Sequence, residues 1–276
     1  MTIRVNGLNI EAAWHGPSPE RAPTLVLLHE GLGCVSMWRD FPEKLAQRTG
    51  YGVLVYSRPG YGKSDPVELP RPLDYMEREA LNVLPQVLNQ VGVRKTVLVG
   101  HSDGASIATI YAGGRQDFRV RGLVLLAPHF FVEDISVKSI AAAKEAYEKG
   151  DLRARLARHH GDNVDVAFRG WNDAWLDPGF RSWRIDDAVA HVRVPMLVVQ
   201  GQDDQYGTLA QVRLAESDAY CPVETAIFEQ CGHSPQNDRP AETLKAIAEF
   251  VHRVLTVHEG LKPAAWGDMH FIADSA

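Results

Sequence analysis

The feature that most constrains this chain is a set of short apolar runs with no polar alternation. They are "TLVLLHE" (24–30), "GVLVYSR" (52–58), "KTVLVGH" (95–101), "RGLVLLA" (121–127) and "PMLVVQG" (195–201). A strand with one wet face alternates polar and apolar residues. A continuous run suits a strand buried on both faces, the habit of parallel sheets. "VETAIFE" (223–229) is a weaker instance. Helical segments lie between the runs, at 38–48, 74–91, 103–114 and 240–255, and Pro85 is expected to kink or shorten the second. Alternating strands and helices predict an α/β fold: a mostly parallel central sheet with helices on both faces. At the start, "IRVNGLNIEAAW" holds an Asn-Gly turn between two strand-like runs. It reads as a hairpin, which gives the sheet an antiparallel beginning.

The rhythm breaks between 129 and 190. "SIAAAKEAYEKGDLRARLARHHG" is helical in pattern, and the aromatic stretch "FRGWNDAWLDPGFRSWRI" follows it. The region is too long for a plain loop and reads as a helical cap inserted over one end of the sheet. The expected division is a core of 1–128 and 191–256, a cap at 129–190, and a less regular tail at 257–276. The tail is read as a docked segment, an oligomer contact or a disordered end.

The chain has 276 residues, 45% of them hydrophobic, which is enough for one large core. A net charge of -6 and a pI near 6.0 argue against a general nucleic-acid or anionic-membrane binder. No leader-like apolar segment opens the chain, and no apolar run approaches the roughly 18 residues of a membrane span. Cys34, Cys221 and Cys231 form neither a CxxC pair nor an even framework, so a reduced, cytoplasmic setting is expected. HExxH is absent, and "RPGYGKS" lacks phosphate-loop spacing, so neither metal nor cofactor is expected. The expected partner is a small-molecule substrate, with a homodimer left open.

The chemistry centres on "GHSDGAS" (100–106). Ser102 and Asp103 are both conceivable nucleophiles there. A nucleophile on a sharp strand-to-helix turn needs small residues two before and two after it. Around Ser102 these are Gly100 and Gly104; around Asp103 they are His101 and Ala105. The register favours Ser102. Asp103 then opens the helix, where a carboxylate complements the helix dipole and its N–H faces a developing oxyanion. A serine needs a base. His233, in "CGHSPQNDRP" between the last strand run and the last helix, is the best placed. His159, His160, His191, His252 and His258 lie in the cap, before a strand, or in the terminal helix and tail. Cys231 is a weaker alternative nucleophile. "GQDDQYG" (201–207) supplies an acid to orient the imidazole, Asp204 in preference to Asp203. The order Ser102, Asp204, His233 suits this architecture.

With these motifs the chain resembles the α/β-hydrolase superfamily over nearly its whole length. "LVLLHEGLGCVSMW" corresponds to the family's His-Gly loop and "YSRPGYGKSD" to its Arg-x-Gly-x-Gly-x-Ser segment. In the family the acid stands third after a strand-end glycine, which from Gly201 selects Asp204. The resemblance implies an oxyanion hole from the N–H groups of Gly31 and Asp103. Losing one such donor costs about 2.7–4 kcal/mol. Glu30 departs from the pattern, standing where a glycine is usual. It is expected to brace its loop or to meet a donor on the substrate. Relatives that open epoxides or remove halides carry aspartate at the elbow, where this chain has Ser102.

The cap aromatics Phe130, Phe131, Trp171, Trp175, Phe180 and Trp183, with His129, are candidate pocket residues. Glu30, His129, Phe130, Trp171, Trp175 and Trp183 make up the candidate substrate pocket. The cap arginines Arg153, Arg155, Arg158, Arg169, Arg181 and Arg184 read chiefly as a solvated face. The expected activity is a serine hydrolase of small carboxylic esters or thioesters through an acyl-enzyme. A C–C bond hydrolase of a ring-cleavage product, and a non-catalytic binding protein on the same fold, are the alternatives.

Overall fold

The structure is a computed structural model, and it describes residues 1–256; the expected tail, 257–276, lies outside the described residues. Eight strands form one sheet: β1 (Thr2–Val5), β2 (Leu8–His15), β3 (Thr24–Leu28), β4 (Gly52–Tyr56), β5 (Thr96–His101), β6 (Val120–Leu126), β7 (Met196–Gly201) and β8 (Val223–Phe228). Their spatial order is β1-β2-β4-β3-β5-β6-β7-β8. β2 pairs antiparallel with both β1 and β4, and every pairing from β4 to β8 is parallel. The Asn-Gly hairpin is present, with Asn6 and Gly7 both at positive φ.

The continuous runs are continuous because the sheet has two cores. Leu25, Leu27, Val97, Val99, Val124 and Leu126 face one; Val26, Leu28, Leu98, Leu123 and Leu125 face the other. The first core is covered by α1 (Phe41–Thr49) and α11 (Pro240–Thr256). The second is covered by α2 (Tyr75–Arg78), α3 (Leu84–Gln90) and α4 (Asp103–Gly114). The segment read as one helix over 74–91 is interrupted: a π-helical turn, Glu79–Val83, separates α2 from α3. Pro85 has no N–H to continue the ladder, and the widened turn just before it absorbs the loss.

Between β6 and β7 lie α5 (Asp134–Lys149), α6 (Leu152–His160), α7 (Val164–Leu176) and α8 (Asp186–His191). α5, α6 and α7 pack on one another over the strand ends, whereas α8 lies against α4 of the core. Two helices without a sequence-level expectation complete the fold. α9 (Leu209–Asp218) is opened by Thr208, whose side chain accepts from the Ala210 N–H, and α10 (Pro235–Asp238) follows the His233 loop. No helix among the described residues is long and apolar enough to cross a membrane.

Candidate active site

Ser102 sits between β5 and α4 with φ 53° and ψ −119°. A serine held there stores strain of about 1–3 kcal/mol and has its side chain pushed out of the turn. The glycines permit the turn. A Cβ on Gly100 would strike the main chain at Gly104, and one on Gly104 would strike the Leu28 carbonyl. The sharp turn and the close approach of β3 therefore both depend on this spacing.

Three strand-end loops converge on the serine. Ser102 Oγ lies 2.9 Å from His233 Nε2. His233 Nδ1 lies 2.8 Å from Asp204 Oδ2 and 3.0 Å from Oδ1. A carboxylate only accepts, so Nδ1 carries the proton and Nε2 is free to take one from the serine. Asp204 is well held. Oδ1 accepts from the N–H groups of Tyr206 (2.7 Å) and Gly207 (3.2 Å), and Oδ2 from Gln200 Nε2 (2.8 Å). Burial alone would raise its pKa, but the His233 bond and charge prevail and hold it below the usual value. Asp203, the other acid considered, is exposed.

Asp103 opens α4, so its N–H has no acceptor within the helix. Its carboxylate was expected to serve the helix N-terminus. It makes no capping bond and is instead fully buried, accepting from Tyr75 OH at 2.5 Å with Arg58 Nη1 at 3.9 Å. Tyr75 OH accepts in turn from Trp175 Nε1 at 3.0 Å. Gly31 lies in the loop after β3. The indole of Trp171 crosses it so closely that a Cβ there would collide with Nε1. The loop is pinned from below. The Glu30 carbonyl accepts from Arg58 Nη2 at 2.9 Å and from His29 Nδ1 at 2.7 Å. His29 Nε2 accepts from the Arg58 main chain at 3.0 Å. Burial, with the Arg58 charge, keeps His29 well below the usual histidine pKa and therefore neutral.

The candidate pocket residues separate by contact. His129 lies beside the site, its ring 5.5 Å from that of His233 and 5.1 Å from that of Trp175. Burial, then the His233 charge, pull its pKa down to about 3. Phe130 is fully buried in the core, and its N–H donates to Gln211 Oε1. Trp183 stacks on Phe180 and donates to Glu77 at 3.1 Å, bracing the cap. Glu30 turns its carboxylate toward His101. All six cap arginines are exposed, and four of them pair with cap acids: Arg153 with Asp165, Arg155 with Asp151, Arg181 with Asp134 and Arg184 with Asp186.

Of the other histidines weighed as bases, His258 lies outside the described residues and the rest are engaged elsewhere. His160 joins α6 to the core, through Leu32 O at 2.9 Å and the Gly62 N–H at 3.0 Å. His159 pairs with Ser36 and His252 with Tyr51, while His191 contacts its own helix. Cys231 is buried, and burial pushes its thiol up to about 11, which leaves it no thiolate at neutral pH. Sequence reasoning missed Tyr75, Arg58, His101, Gln200 and Gln236. All of these but Tyr75 lay inside quoted segments, and none showed its partner.

A parallel sheet with a polar assembly beyond its C-terminal strand ends defines an α/β enzyme architecture. The model of the α/β hydrolase family matches residues 25–246, and the chain belongs to that family. Hydrolase activity is what this membership supports. The proline iminopeptidase of Lactobacillus delbrueckii subsp. lactis is 24% identical over 273 residues, covering 86% of this chain and 92% of that protein. Epoxide hydrolase 3 of Xenopus tropicalis is 24% identical over 297 residues, covering 93% and 78%. Among solved structures, a serine hydrolase involved in carbazole degradation (CarC enzyme) superposes with a TM-score of 0.73 at 18% identity, over 92% of this chain and 98% of that one.

Proposed function

We propose that this protein is a serine hydrolase acting on small carboxylic esters or thioesters. The observation that supports this most is the unbroken chain Asp204–His233–Ser102, with contacts of 2.8 and 2.9 Å, ending on a serine in an elbow conformation. In this reading His233 Nε2 takes the Ser102 proton as Oγ attacks the carbonyl carbon. Asp204 fixes the tautomer and stabilises the imidazolium. The N–H groups of Gly31 and Asp103 receive the oxyanion. His233 then protonates the leaving alcohol or thiol. Water, activated by the same histidine, releases the acid from Ser102.

The epoxide-hydrolase relatives raise the question of an aspartate nucleophile. Asp103 does not suit that role, since its carboxylate is buried against Tyr75 and Arg58 on the far side of the turn. The proline iminopeptidase relatives make an amide a natural competitor, because the same acyl transfer serves it. In this reading the protein works in the cytoplasm on a small molecule. The test is Ser102→Ala, assayed with p-nitrophenyl esters of graded acyl length, a prolyl amide and a dienoic keto-acid. Loss of turnover in a folded variant, with fluorophosphonate labelling of Ser102 in the wild type, supports the proposal. Unchanged turnover refutes it.

A further inference from the structure

Glu30 stands where the family usually has glycine, and His101 faces it. Glu30 Oε2 lies 3.3 Å from His101 Nδ1. His101 immediately precedes the serine and is 1% exposed. Its other nitrogen, Nε2, lies 2.7 Å from the main-chain carbonyl of His233. A carbonyl only accepts, so Nε2 must carry a proton. In the neutral ring Nδ1 would then aim a lone pair at a carboxylate. In the imidazolium it donates to that carboxylate. The geometry therefore calls for the charged ring. The Gln236 amide sits 3.1 Å from the same nitrogen, and its Oε1 is buried without a partner. Turning that amide over, a change of assignment and not of shape, gives Nδ1–H a second acceptor.

The electrostatics agree. Burial opposes a charge on His101, but the bond to Glu30 and its charge outweigh burial and raise the histidine above its usual pKa. Burial pushes Glu30 up, and His101 overcomes that to bring it down to about 2. The other groups facing His101 are few. Asp204 also favours the charge. His233 has its ring 5.2 Å away, His129 is held neutral, and Trp38 adds an uncharged edge-on ring.

We propose that Glu30 and His101 are a charged positioning pair for the reaction. The pair joins the loop that carries Gly31, the elbow that carries Ser102 and the main chain of His233. This rests on the reading of Ser102, His233 and Asp204 as the catalytic set. β3 and β5 keep register as far as Leu28 and Gly100, but β8 pairs with neither, so the loop after β8 shares no strand register with the other two. The pair supplies one, and it sets the distance from Ser102 Oγ to His233 Nε2. When His101 loses its proton at alkaline pH the carboxylate loses its partner. His101 then holds the His233 main-chain carbonyl only as a neutral donor, and activity declines along an alkaline limb that follows His101.

The test couples a titration to kinetics. Histidine ring signals of isotopically labelled protein are followed by NMR, with His101 assigned through His101→Gln. kcat and KM for p-nitrophenyl butyrate are measured across pH in the wild type and in Glu30→Gln. The wild type should keep a charged His101 at pH 7, and Glu30→Gln should move its titration to lower pH. The alkaline limb of kcat should move with it. At pH 8 kcat should fall about tenfold, the lower end for loss of an orienting partner, with KM changed less than about twofold. A merely structural role would lower the melting temperature and leave the limb in place. A neutral His101 at pH 7 in the wild type, or a limb unmoved by Glu30→Gln, overturns the proposal. If Glu30→Gln does not fold, the wild-type titration decides alone. Failure of the serine-hydrolase reading shows separately, as absence of fluorophosphonate labelling at Ser102, while the NMR titration still reads the pair.

Discussion

Tyr75→Phe tests the support beneath the proposed nucleophile with the loss of one atom. Tyr75 OH donates to Asp103 Oδ2 at 2.5 Å and accepts from Trp175 Nε1 at 3.0 Å, with all three side chains buried. Phenylalanine keeps the ring and its stacking on Phe180 at 6.5 Å, so packing is nearly unchanged. Two polar groups lose their partner. A bond to a buried charged group contributes about 1.5–3 kcal/mol, and stranding the indole N–H costs about 1–3 kcal/mol. The sum is roughly 2.5–6 kcal/mol, a large part of the 5–15 kcal/mol typical of a domain. Asp103 would keep Arg58, whose Nη1 stands 3.9 Å away, and the neighbouring Trp175 indole. The deficit should depend on pH. Burial holds Asp103 above the usual carboxyl range, with Arg58 and Tyr75 opposing in part. A carboxyl raised in the folded state costs stability as pH rises through that range, and removing the hydroxyl enlarges the cost. Urea unfolding at pH 7 should therefore show the full loss, and at acidic pH a smaller one. A double-mutant cycle with Trp175→Phe should give a coupling near 1 kcal/mol. A loss under about 1 kcal/mol for Tyr75→Phe would refute the bridge.

Other substitutions probe the remaining parts. Asp204→Asn should lower kcat for a p-nitrophenyl ester by about 10³–10⁴-fold, because the amide favours the wrong tautomer of His233; steady-state kinetics on the folded variant check it. Gly104→Ala places a methyl against the Leu28 carbonyl and should cost about 1–3 kcal/mol in urea unfolding, with ester turnover falling as the elbow shifts. Glu30 and Asp204 both have depressed folded pKa values. Each adds stability that is complete above the ordinary carboxyl range and is lost as pH falls through it, for Glu30 toward about 2. Unfolding midpoints should therefore fall between pH 6 and pH 3, less steeply in Glu30→Gln than in the wild type.

What could be read from the chain was whatever one local pattern determines. The buried strands were legible because both faces of β3, β5, β6 and β7 are covered, which forces runs such as Leu25–Leu28. The elbow was legible because Gly100 and Gly104 must be small to let backbone meet backbone. That Asp204 and His233 meet was legible because each follows a strand end in a short polar loop. The π-helical turn before Pro85 was half legible: the proline announces a lost bond, but not where the ladder widens. α9 was hidden because its pattern, LAQVRLAESD, buries only Gln211, Val212 and Ala215. The supports of the site were illegible for a different reason. Tyr75 meets Asp103, and His101 meets Glu30 and His233, across separations that only the folded sheet closes.

Those supports bear on an electrostatic problem that the sequence poses at both proposed oxyanion donors. Asp103 carries one donor N–H on its own backbone, and Glu30 immediately precedes the other at Gly31. Two carboxylates next to a site that must hold a developing anion would work against it, because opposing charge in a low-dielectric pocket is costly. The structure answers each acid separately. Asp103 turns beneath the elbow, against Tyr75 and the buried guanidinium of Arg58. Glu30 turns to His101. Arg58 serves both donors, since the guanidinium that faces Asp103 also donates to the main-chain carbonyl of Glu30. That carbonyl belongs to the same peptide as the Gly31 N–H, so fixing one orients the other. A cation placed under both donors compensates the acids and aims the amides, and removing Arg58 alone should therefore disturb both donors together.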